Sequence, residues 1–356
     1  MNRIMERIHA EVARAGHHVD YLAAEDAPPA ARGRLGRFLF PALVRNRALA
    51  EARAGRGYDL VNVHEPSGAA LTAHRPRGTR VVVTSHGVEQ RGWELALEER
   101  RLGREWPGWK TRFVWPLTGL WQCNASLRRA DHVFCLSEED RAFLAAQLGI
   151  DRARTTRMMP AADVVFGAVS RDYRGANRLL FAGTWRKNKG IEDLVPAVNT
   201  LVERHPGIQL VVLGAGFPPA AVLPAFDACA RARVRCVETR TEAETAQEFA
   251  SADLFVLPSL FEGTPLTLME AMMSGLPIVT TETSGMRDVI RHGVNGRLIP
   301  TRSPDAIVRE IEHLMASEHE RGALGRAAQA DARERYTWER VAAPIRVAYE
   351  RLCEAS

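Results

Sequence analysis

The chain alternates between short, continuous apolar runs and longer segments in which apolar residues recur every three or four positions. The first pattern is typical of buried strands and the second of amphipathic helices. Regular alternation of the two predicts a parallel sheet whose strands are joined by helices through right-handed crossovers. The predicted strands cover 17–22, 58–63, 80–84, 130–136, 178–182, 209–213, 234–237, 254–257 and 277–281. The expected fold class is therefore α/β.

The chain opens on a helical pattern instead of a strand. Ile4, Ile8 and Val12 fall on one helical face, and Gly16 closes the segment. An α/β domain usually begins with a strand and a glycine-rich turn that leads into its first helix. We therefore expect the N-terminal domain to lack its first strand. Met1 is then either an internal methionine of a longer reading frame, which we favour, or the start of a domain that has lost an edge.

The length of 356 residues is sufficient for two domains of ordinary size. A connecting stretch near 165–176 separates two series of strands and helices. We expect an N-terminal domain at 1–170, a second α/β domain at 171–337, and a last helical segment at 338–356.

One stretch of the second half combines a helix start with two carboxylates. The strand at 254–257 is followed by a loop that carries Glu262. Thr264 is predicted to cap a helix with its hydroxyl and Pro265 to be the first helical residue, which places Glu270 on the second turn. A helix start attracts anions, so the stretch suits a ligand that joins phosphate to hydroxyl groups. An exposed loop acid at Glu262 and a solvated helix residue at Glu270 are an equally weighted alternative.

Polar residues follow the predicted strands of the first half. Ligands of parallel sheets bind beyond the carboxyl ends of the strands, and those positions hold His64, Glu65, His86 and Ser137. His86 also precedes Gly87, which lets another group approach the backbone closely. For a lone histidine, however, hydrogen bonding to neighbouring loops is the more common role.

Two turns of the second half could bind phosphate. The turn at 183–190 contains Arg186, Lys187 and Lys189, and a lysine there can neutralise a diphosphate as a point charge. The turn from Gly214 to Gly216 could also bind phosphate, although a single G-x-G is weak evidence. A solvated basic loop and an ordinary tight turn remain the alternatives.

Composition and charge exclude several classes of protein. The content of 46% hydrophobic and 26% charged residues is that of a globular protein, and the net charge of +5 is only mildly basic. Five scattered cysteines indicate neither a disulfide framework nor a structural zinc site. No basic run interleaved with aromatic residues marks a nucleic-acid surface. We found neither a signal peptide nor an apolar stretch of the ~18 residues that a membrane span needs.

These features predict a cytoplasmic protein that is at most peripheral to a membrane. The segment 90–120 contains four tryptophans among many arginines. It could contact an acceptor or the inner membrane surface, but aromatic packing over a sheet edge is the interpretation we favour. The tryptophans are Trp93, Trp106, Trp109 and Trp115.

With these residues in place, the chain resembles the retaining glycosyltransferases of the GT-B fold that carry an E-x7-E motif, the glycosyltransferase family 4 type. Glu262 and Glu270 have that spacing. The likeness continues through Lys189-Gly190, through Ser85-His86-Gly87, and through the Gly214 turn. It covers nearly the whole chain and is dense between 178 and 300.

The resemblance implies two Rossmann-like domains with parallel sheets facing across a cleft, and a last helix that crosses back to the N-terminal domain. It implies that Lys189 neutralises the donor diphosphate, that Glu270 binds the ribose, and that Glu262 and His86 act at the donor sugar. The family uses no metal and no cofactor. The remaining donor-binding residues implied by position are Thr184, Arg186, Gly214, Gly263, Thr264, Pro265 and Leu266, with Thr184 standing where the family often has an arginine.

The function implied is transfer of a hexose from a UDP- or GDP-linked sugar, with retention of anomeric configuration. The acceptor would be a glycan, a lipid-linked molecule or a small molecule, and no nucleic acid would be bound. Two alternatives are kept. A degenerate, non-catalytic nucleotide-sugar-binding protein is suggested by the missing first strand, and a nucleotide-sugar epimerase would act on its donor without an acceptor.

Overall fold

The computed structural model of the protein describes residues 2–22, 36–104, 107–168 and 170–354. The chain divides into two compact units. The first comprises Met1–Met158 together with Ala342–Ser356, and the second comprises Met159–Val341. The division thus falls earlier in the chain than the expected 170, and most of the last helix belongs to the first unit. Of the residues named above, Trp106 lies outside the described ranges.

The first unit contains a four-stranded parallel sheet in the order β1-β2-β3-β4. Its strands are β1 Leu60–His64, β2 Arg80–Thr84, β3 His132–Cys135 and β4 Thr155–Arg157. Three of them were predicted, whereas the short β4 was not. The predicted strand at 17–22 is wrong. Most of that segment is exposed, so its alternating pattern has no core to face. Among the described residues, no strand precedes Leu60.

Helices cover this sheet and include the chain's last helix. Tyr349 of that helix accepts a hydrogen bond at 2.7 Å from the Asn62 side chain of β1. Its ring also lies edge-on to Phe134 of β3. The last helix therefore forms part of the first unit's core. The helices are α1 Asn2–Arg14, α2 Gly36–Arg53, α3 Ala69–Ala73, α4 Glu89–Arg101, α5 Trp109–Phe113, α6 Trp121–Arg129, α7 Glu138–Leu148 and, after the second unit, α16 Trp338–Glu354.

The second unit contains a six-stranded parallel sheet in the order β10-β9-β8-β5-β6-β7. The strands are β5 Arg178–Ala182, β6 Gln209–Leu213, β7 Val234–Val237, β8 Leu254–Leu257, β9 Ile278–Thr281 and β10 Arg297–Ile299. From the central β5 the chain runs outward through β6 and β7, then returns to the other side for β8. The reversal places a topological switch point between β5 and β8, the position where ligands of open α/β sheets bind.

Helices flank this sheet, and both β8 and β9 are buried along their whole length, as expected for covered parallel strands. A short helix follows β9, and its Met286 and Val289, three positions apart, both pack into the core. The helices are α8 Ile191–Arg204, α9 Pro219–Val222, α10 Ala228–Arg231, α11 Glu242–Ser251, α12 Leu266–Met273, α13 Ser284–Val289, α14 Pro304–Ala316 and α15 Glu318–Arg335.

Candidate active site

Two loops meet at the switch point of the second unit. A short turn, Lys187–Lys189, follows β5, and the loop 258–265 follows β8. The amide of Leu260 donates a hydrogen bond to the Asn188 carbonyl at 2.8 Å. Gly190 adopts φ +71°, and a Cβ there would lie 1.8 Å from the carbonyl oxygen of Pro258. Only glycine allows this approach, so the sequence pattern Lys-Gly fixes the distance between the two loops.

This approach brings Lys189 and Glu262 into an ion pair. The side chains of Lys189 and Glu262 are only 16% and 13% exposed. The hydroxyl of Ser259 donates to Glu262 at 3.3 Å, and the Lys189 stem passes 3.6 Å from the position of a Cβ on Gly183. The alternative that Glu262 is an exposed loop acid is therefore wrong.

Helix α12 begins directly after this pair. Its N-cap residue is Pro265, which makes no side-chain capping bond. The predicted capping role of Thr264 is wrong because its hydroxyl points instead to the Met159 sulfur, 3.8 Å away. Gly285 holds the loop from the other side, since its amide donates to the Gly263 carbonyl at 2.9 Å and a Cβ there would clash with Thr264. The first-turn N–H groups of α12 still lack intrahelical partners, as at any helix start.

The first two turns of α12 carry two further polar side chains. Glu270 is 3% exposed, so the alternative of a solvated helix residue is wrong. Thr267 was not singled out from the sequence, yet its buried hydroxyl has no hydrogen-bond partner among the described residues. An unsatisfied buried hydroxyl at a helix start is unusual enough to require an explanation. Its spacing, three residues before Glu270, is the signal that could have identified it.

The Gly214 turn lies beside the turn that follows β5. Gly214 adopts φ +67°, and the amide of Trp185 donates to the Ala215 carbonyl at 2.8 Å. Thr184 and Arg186 are both exposed on this rim. Lys187 points away and pairs with Glu192 at 2.9 Å. The structure thus selects Lys189, among the three cations of the turn, as the one that meets Glu262.

The corresponding strand ends of the first unit hold a histidine pair. His64 is the last residue of β1 and His86 follows β2, and their rings stack with centroids 4.7 Å apart and planes 8° apart. His64 Nδ1 and His86 Nε2 share a hydrogen bond. Burial, reinforced by His64, lowers the pKa of His86 to about 3, and burial likewise lowers the pKa of His64. Both imidazoles are therefore neutral at pH 7.

Two other predicted strand-end residues have structural roles. Ser137 caps helix α7 by accepting the Asp140 amide at 3.0 Å. Glu65 is hydrogen-bonded to Ser85, and burial raises its pKa to about 8. Glu65 is thus predominantly protonated at pH 7, so Glu65 and the two histidines are uncharged donors and acceptors at this end of the sheet.

Within the described ranges, no group of three or more His, Cys, Asp and Glu side chains could hold a metal ion. None of the helices described is both long and apolar enough to cross a bilayer.

Two α/β units, each with a parallel sheet, and a polar site at the β5/β8 switch point define the GT-B class of fold. The sequence model of the family described as "Glycosyltransferase Family 4" matches residues 1–164, and that of "Glycosyl transferases group 1" matches residues 176–317. Both models describe glycosyltransferases, and together they identify the chain as a glycosyltransferase of the family 4 type.

Curated relatives agree with this assignment. An uncharacterized glycosyltransferase of Methanocaldococcus jannaschii is 30% identical over 168 residues, which are 46% of this chain and 42% of the relative. A D-inositol 3-phosphate glycosyltransferase of Corynebacterium urealyticum is 28% identical over 180 residues, 48% of this chain and 42% of the relative. The matched region spans less than half the length of these proteins.

Solved structures share the fold. Sucrose-phosphate synthase from Thermosynechococcus elongatus superimposes with a TM-score of 0.74 at 21% identity, covering 93% of this chain and 81% of that one. Anabaena HepE, in complex with UDP, gives a TM-score of 0.67 at 18% identity, with coverage of 87% and 82%.

Proposed function

We propose that the protein transfers a hexosyl group from a nucleotide-diphosphate sugar to an acceptor hydroxyl, with retention of anomeric configuration. The observation that carries this proposal is the Lys189–Glu262 pair at the β5/β8 switch point, beside the start of α12. A cation, a carboxylate and a helix start in one place match a ligand that combines diphosphate with sugar hydroxyls.

Lys189 would assist the departure of the leaving group. Its ammonium, now held by Glu262, would exchange onto the donor diphosphate and stabilise the negative charge that develops there. The first N–H groups of α12 would add their partial positive charge. Glu262, released from the lysine, would accept hydrogen bonds from the sugar hydroxyls.

The transfer then needs no separate base. The bond between C1 of the sugar and the phosphate oxygen breaks, and the acceptor oxygen bonds to C1 on the same face. The acceptor proton passes to the departing phosphate oxygen, so the nucleotide diphosphate leaves with the proton that the acceptor loses. The protein's task is to position both partners and to stabilise charge.

The ribose and the sugar have their own candidate partners. Glu270 would accept hydrogen bonds from the ribose hydroxyls, with the unpartnered Thr267 hydroxyl as a further contact. Thr184, Arg186 and Gly214 are candidates for the phosphates and the base. His86, being neutral, would exchange a hydrogen bond with a sugar hydroxyl near C1 without competing with Lys189 for negative charge.

Known proteins support a nucleotide-sugar donor. HepE was solved with UDP and with UDP-glucose, and one family relative is a D-inositol 3-phosphate glycosyltransferase. We propose UDP- or GDP-linked donors, a glycan, lipid-linked or small-molecule acceptor, a cytoplasmic location, and no cofactor.

The test combines binding with turnover. A panel of UDP- and GDP-sugars is first screened by thermal shift, because a ligand that binds only the native state raises the melting temperature. The donor that binds is then supplied in labelled form with candidate acceptors. Lys189→Ala and Glu262→Ala should each lower the transfer rate by roughly 100-fold or more, the usual loss when one charge-stabilising contact is removed.

A neighbouring pair provides the matched control. Lys187→Ala removes a lysine two positions away whose partner is Glu192, and it should leave turnover within about twofold, as expected for an exposed ion pair. Unchanged turnover in the Lys189 and Glu262 variants would refute the proposal. Donor binding without transfer would instead identify a non-catalytic binding protein, and conversion of the donor alone would identify an epimerase.

A further inference from the structure

The first unit exposes a row of large apolar side chains on its helical segment 109–121. Trp109, Phe113, Leu117 and Trp121, spaced four residues apart, are 64%, 60%, 82% and 60% exposed. We refer to these four side chains as the aromatic stripe. Large apolar side chains exposed singly are ordinary, but a contiguous row of this kind marks a surface that contacts another body.

The stripe is held in place by packing beneath it. Trp115 packs against Gly119 of the same segment, where a Cβ would approach its ring to 2.0 Å. The indole N–H of Trp93 donates to the Thr111 carbonyl at 2.9 Å. A π-helical turn, Pro116–Leu120, joins α5 to α6. Trp115 is thus half-buried within its own segment, whereas Trp109 is largely exposed.

The surroundings of the stripe are positively charged. Residues 107–130 contain Lys110, Arg112, Arg128 and Arg129 and no acidic residue. None of these four side chains forms an ion pair with any residue of the described ranges. Lys110 and Arg112 lie over the rings of Trp109 and Phe113, at 5.8 Å and 4.8 Å from their centroids.

A cavity beside the stripe concentrates this charge. It measures about 450 Å³ and is lined by Leu97, Arg100, Arg101, Arg112 and Phe113. Among the residues that the structure describes, no carboxylate lines it, although Arg101 is 3.7 Å from Glu98 outside it. Three guanidinium groups around an apolar floor suit a phosphate group attached to a hydrocarbon chain, since guanidinium pairs with phosphate through paired hydrogen bonds.

We propose that the aromatic stripe docks on the surface of a bilayer that contains anionic phospholipid. Tryptophan and other aromatic rings prefer the headgroup level of a bilayer, and basic side chains next to them are attracted to anionic lipids. A second copy of this chain is a poorer occupant because two basic stripes would repel each other. The proposal is independent of the transfer reaction and concerns only where the protein works.

The test uses the full chain and sedimentation with phospholipid vesicles. Binding to vesicles of phosphatidylcholine mixed with phosphatidylglycerol should exceed binding to phosphatidylcholine alone and should weaken as salt rises. Lys110→Gln combined with Arg112→Gln should lower partitioning tenfold or more, because each basic residue at an anionic surface contributes about fivefold. Trp109→Ser combined with Trp121→Ser should also lower it.

Controls separate docking from misfolding. Val164→Ser alters a side chain that is 80% exposed in the second unit and should leave partitioning unchanged. Every variant should keep the melting temperature of the parent protein, since all the changes are on the surface. Equal binding to neutral vesicles, or binding that the stripe variants do not alter, would overturn the proposal. So would dimerisation that the stripe variants abolish while no vesicles are bound.

Discussion

The two units present different chemistry at equivalent strand ends. In the second unit, the turn after β5 and the loop after β8 bring together a lysine and a carboxylate, both mostly shielded from solvent. In the first unit, the carboxyl ends of β1 and β2 carry two stacked histidines that burial keeps neutral, beside a glutamate that burial keeps protonated. Parallel sheets of the same class thus support a charged site in one unit and an uncharged site in the other.

The difference follows from how the buried groups of each site avoid an isolated charge. Removing an isolated charge from water is costly, so a buried group either pairs with an opposite charge or becomes neutral. Pairing with an opposite charge applies to Lys189 and Glu262. Neutralisation applies to His64, His86 and Glu65. Under the proposed function, the charged site of the second unit suits a donor phosphate.

The largest effect is expected where a substitution disrupts the contact between the two loops that form the charged site. Gly190→Ala combines a left-handed backbone with a clash against the Pro258 carbonyl and should destabilise the protein by roughly 3 kcal/mol or more. Gly214→Ala has a similar φ but open space around its Cβ, so it should cost only about 1–2 kcal/mol. Urea denaturation of both variants measures the difference, and equal losses would show that the contact with Pro258 is unimportant.

The next largest effect is expected on donor affinity, which should respond differently to substitutions in the two sites. Lys189→Ala should raise the donor Kd by roughly 10- to 100-fold, since a hydrogen bond to a charged group contributes about 1.5–3 kcal/mol. His86→Gln replaces one neutral hydrogen-bonding group by another, so its effect should be less than about tenfold. Isothermal titration with the donor identified by thermal shift measures both constants. A larger loss in the histidine variant would reverse the comparison.

The pH dependence of stability sharpens the contrast within the first unit. The pKa of His86 is below that of an unfolded histidine. The contribution of its neutral imidazole to folding stability is therefore complete above about pH 6.5 and is lost as the pH falls towards 3. The pKa of Glu65 is raised. The contribution of its protonated carboxyl to folding stability is therefore complete below about pH 4.5 and is lost as the pH rises towards 8.

Substitutions at these two positions should therefore shift stability in opposite directions. On going from pH 7 to pH 5, the free energy of unfolding of His86→Gln should rise by about 2 kcal/mol relative to that of the parent protein. That of Glu65→Gln should fall by about 2 kcal/mol relative to the parent protein. Denaturant unfolding at both pH values gives the two differences. Differences of the same sign would contradict the assignment of a neutral histidine and a protonated glutamate.

The smallest effect tests whether shielding distinguishes the two ion pairs of the second unit. Lys187 and Glu192 are about one-third exposed and should contribute about 0–1 kcal/mol of coupling in a double-mutant cycle. The Lys189–Glu262 pair is more shielded and should show a larger coupling, because removing one member leaves the other charge poorly solvated. Equal couplings would remove the distinction.

Much of the fold could be predicted from local patterns. The strands at 80–84, 178–182, 209–213, 234–237 and 254–257 were predicted at their observed bounds. Each is a short apolar run that ends at a polar or turn residue, so the necessary information is local. The segment 17–22 failed because alternation specifies a strand only where a neighbouring strand and a core are present.

The candidate site was predicted in its residues but not in its contacts. Spacing alone placed Glu262 before a helix and Glu270 on its second turn, as observed. The capping role of Thr264 was mistaken because Gly285, distant in sequence, packs against that loop and leaves the hydroxyl facing Met159. Thr267 was missed because its spacing to Glu270 is its only signal in the sequence, and that spacing does not show that the hydroxyl is buried without a partner.

The sequence by itself determined the alternation of strands and helices, the E-x7-E spacing and the family, because periodicity and motif spacing are properties of neighbouring residues. Only the tertiary structure decided that Lys189, and neither Lys187 nor Arg186, meets Glu262. It also decided that Trp109 is exposed while Trp115 packs against Gly119. The physical reason is common to both: pairing and burial depend on segments that are distant along the chain, such as Gly190 against Pro258 at the switch point.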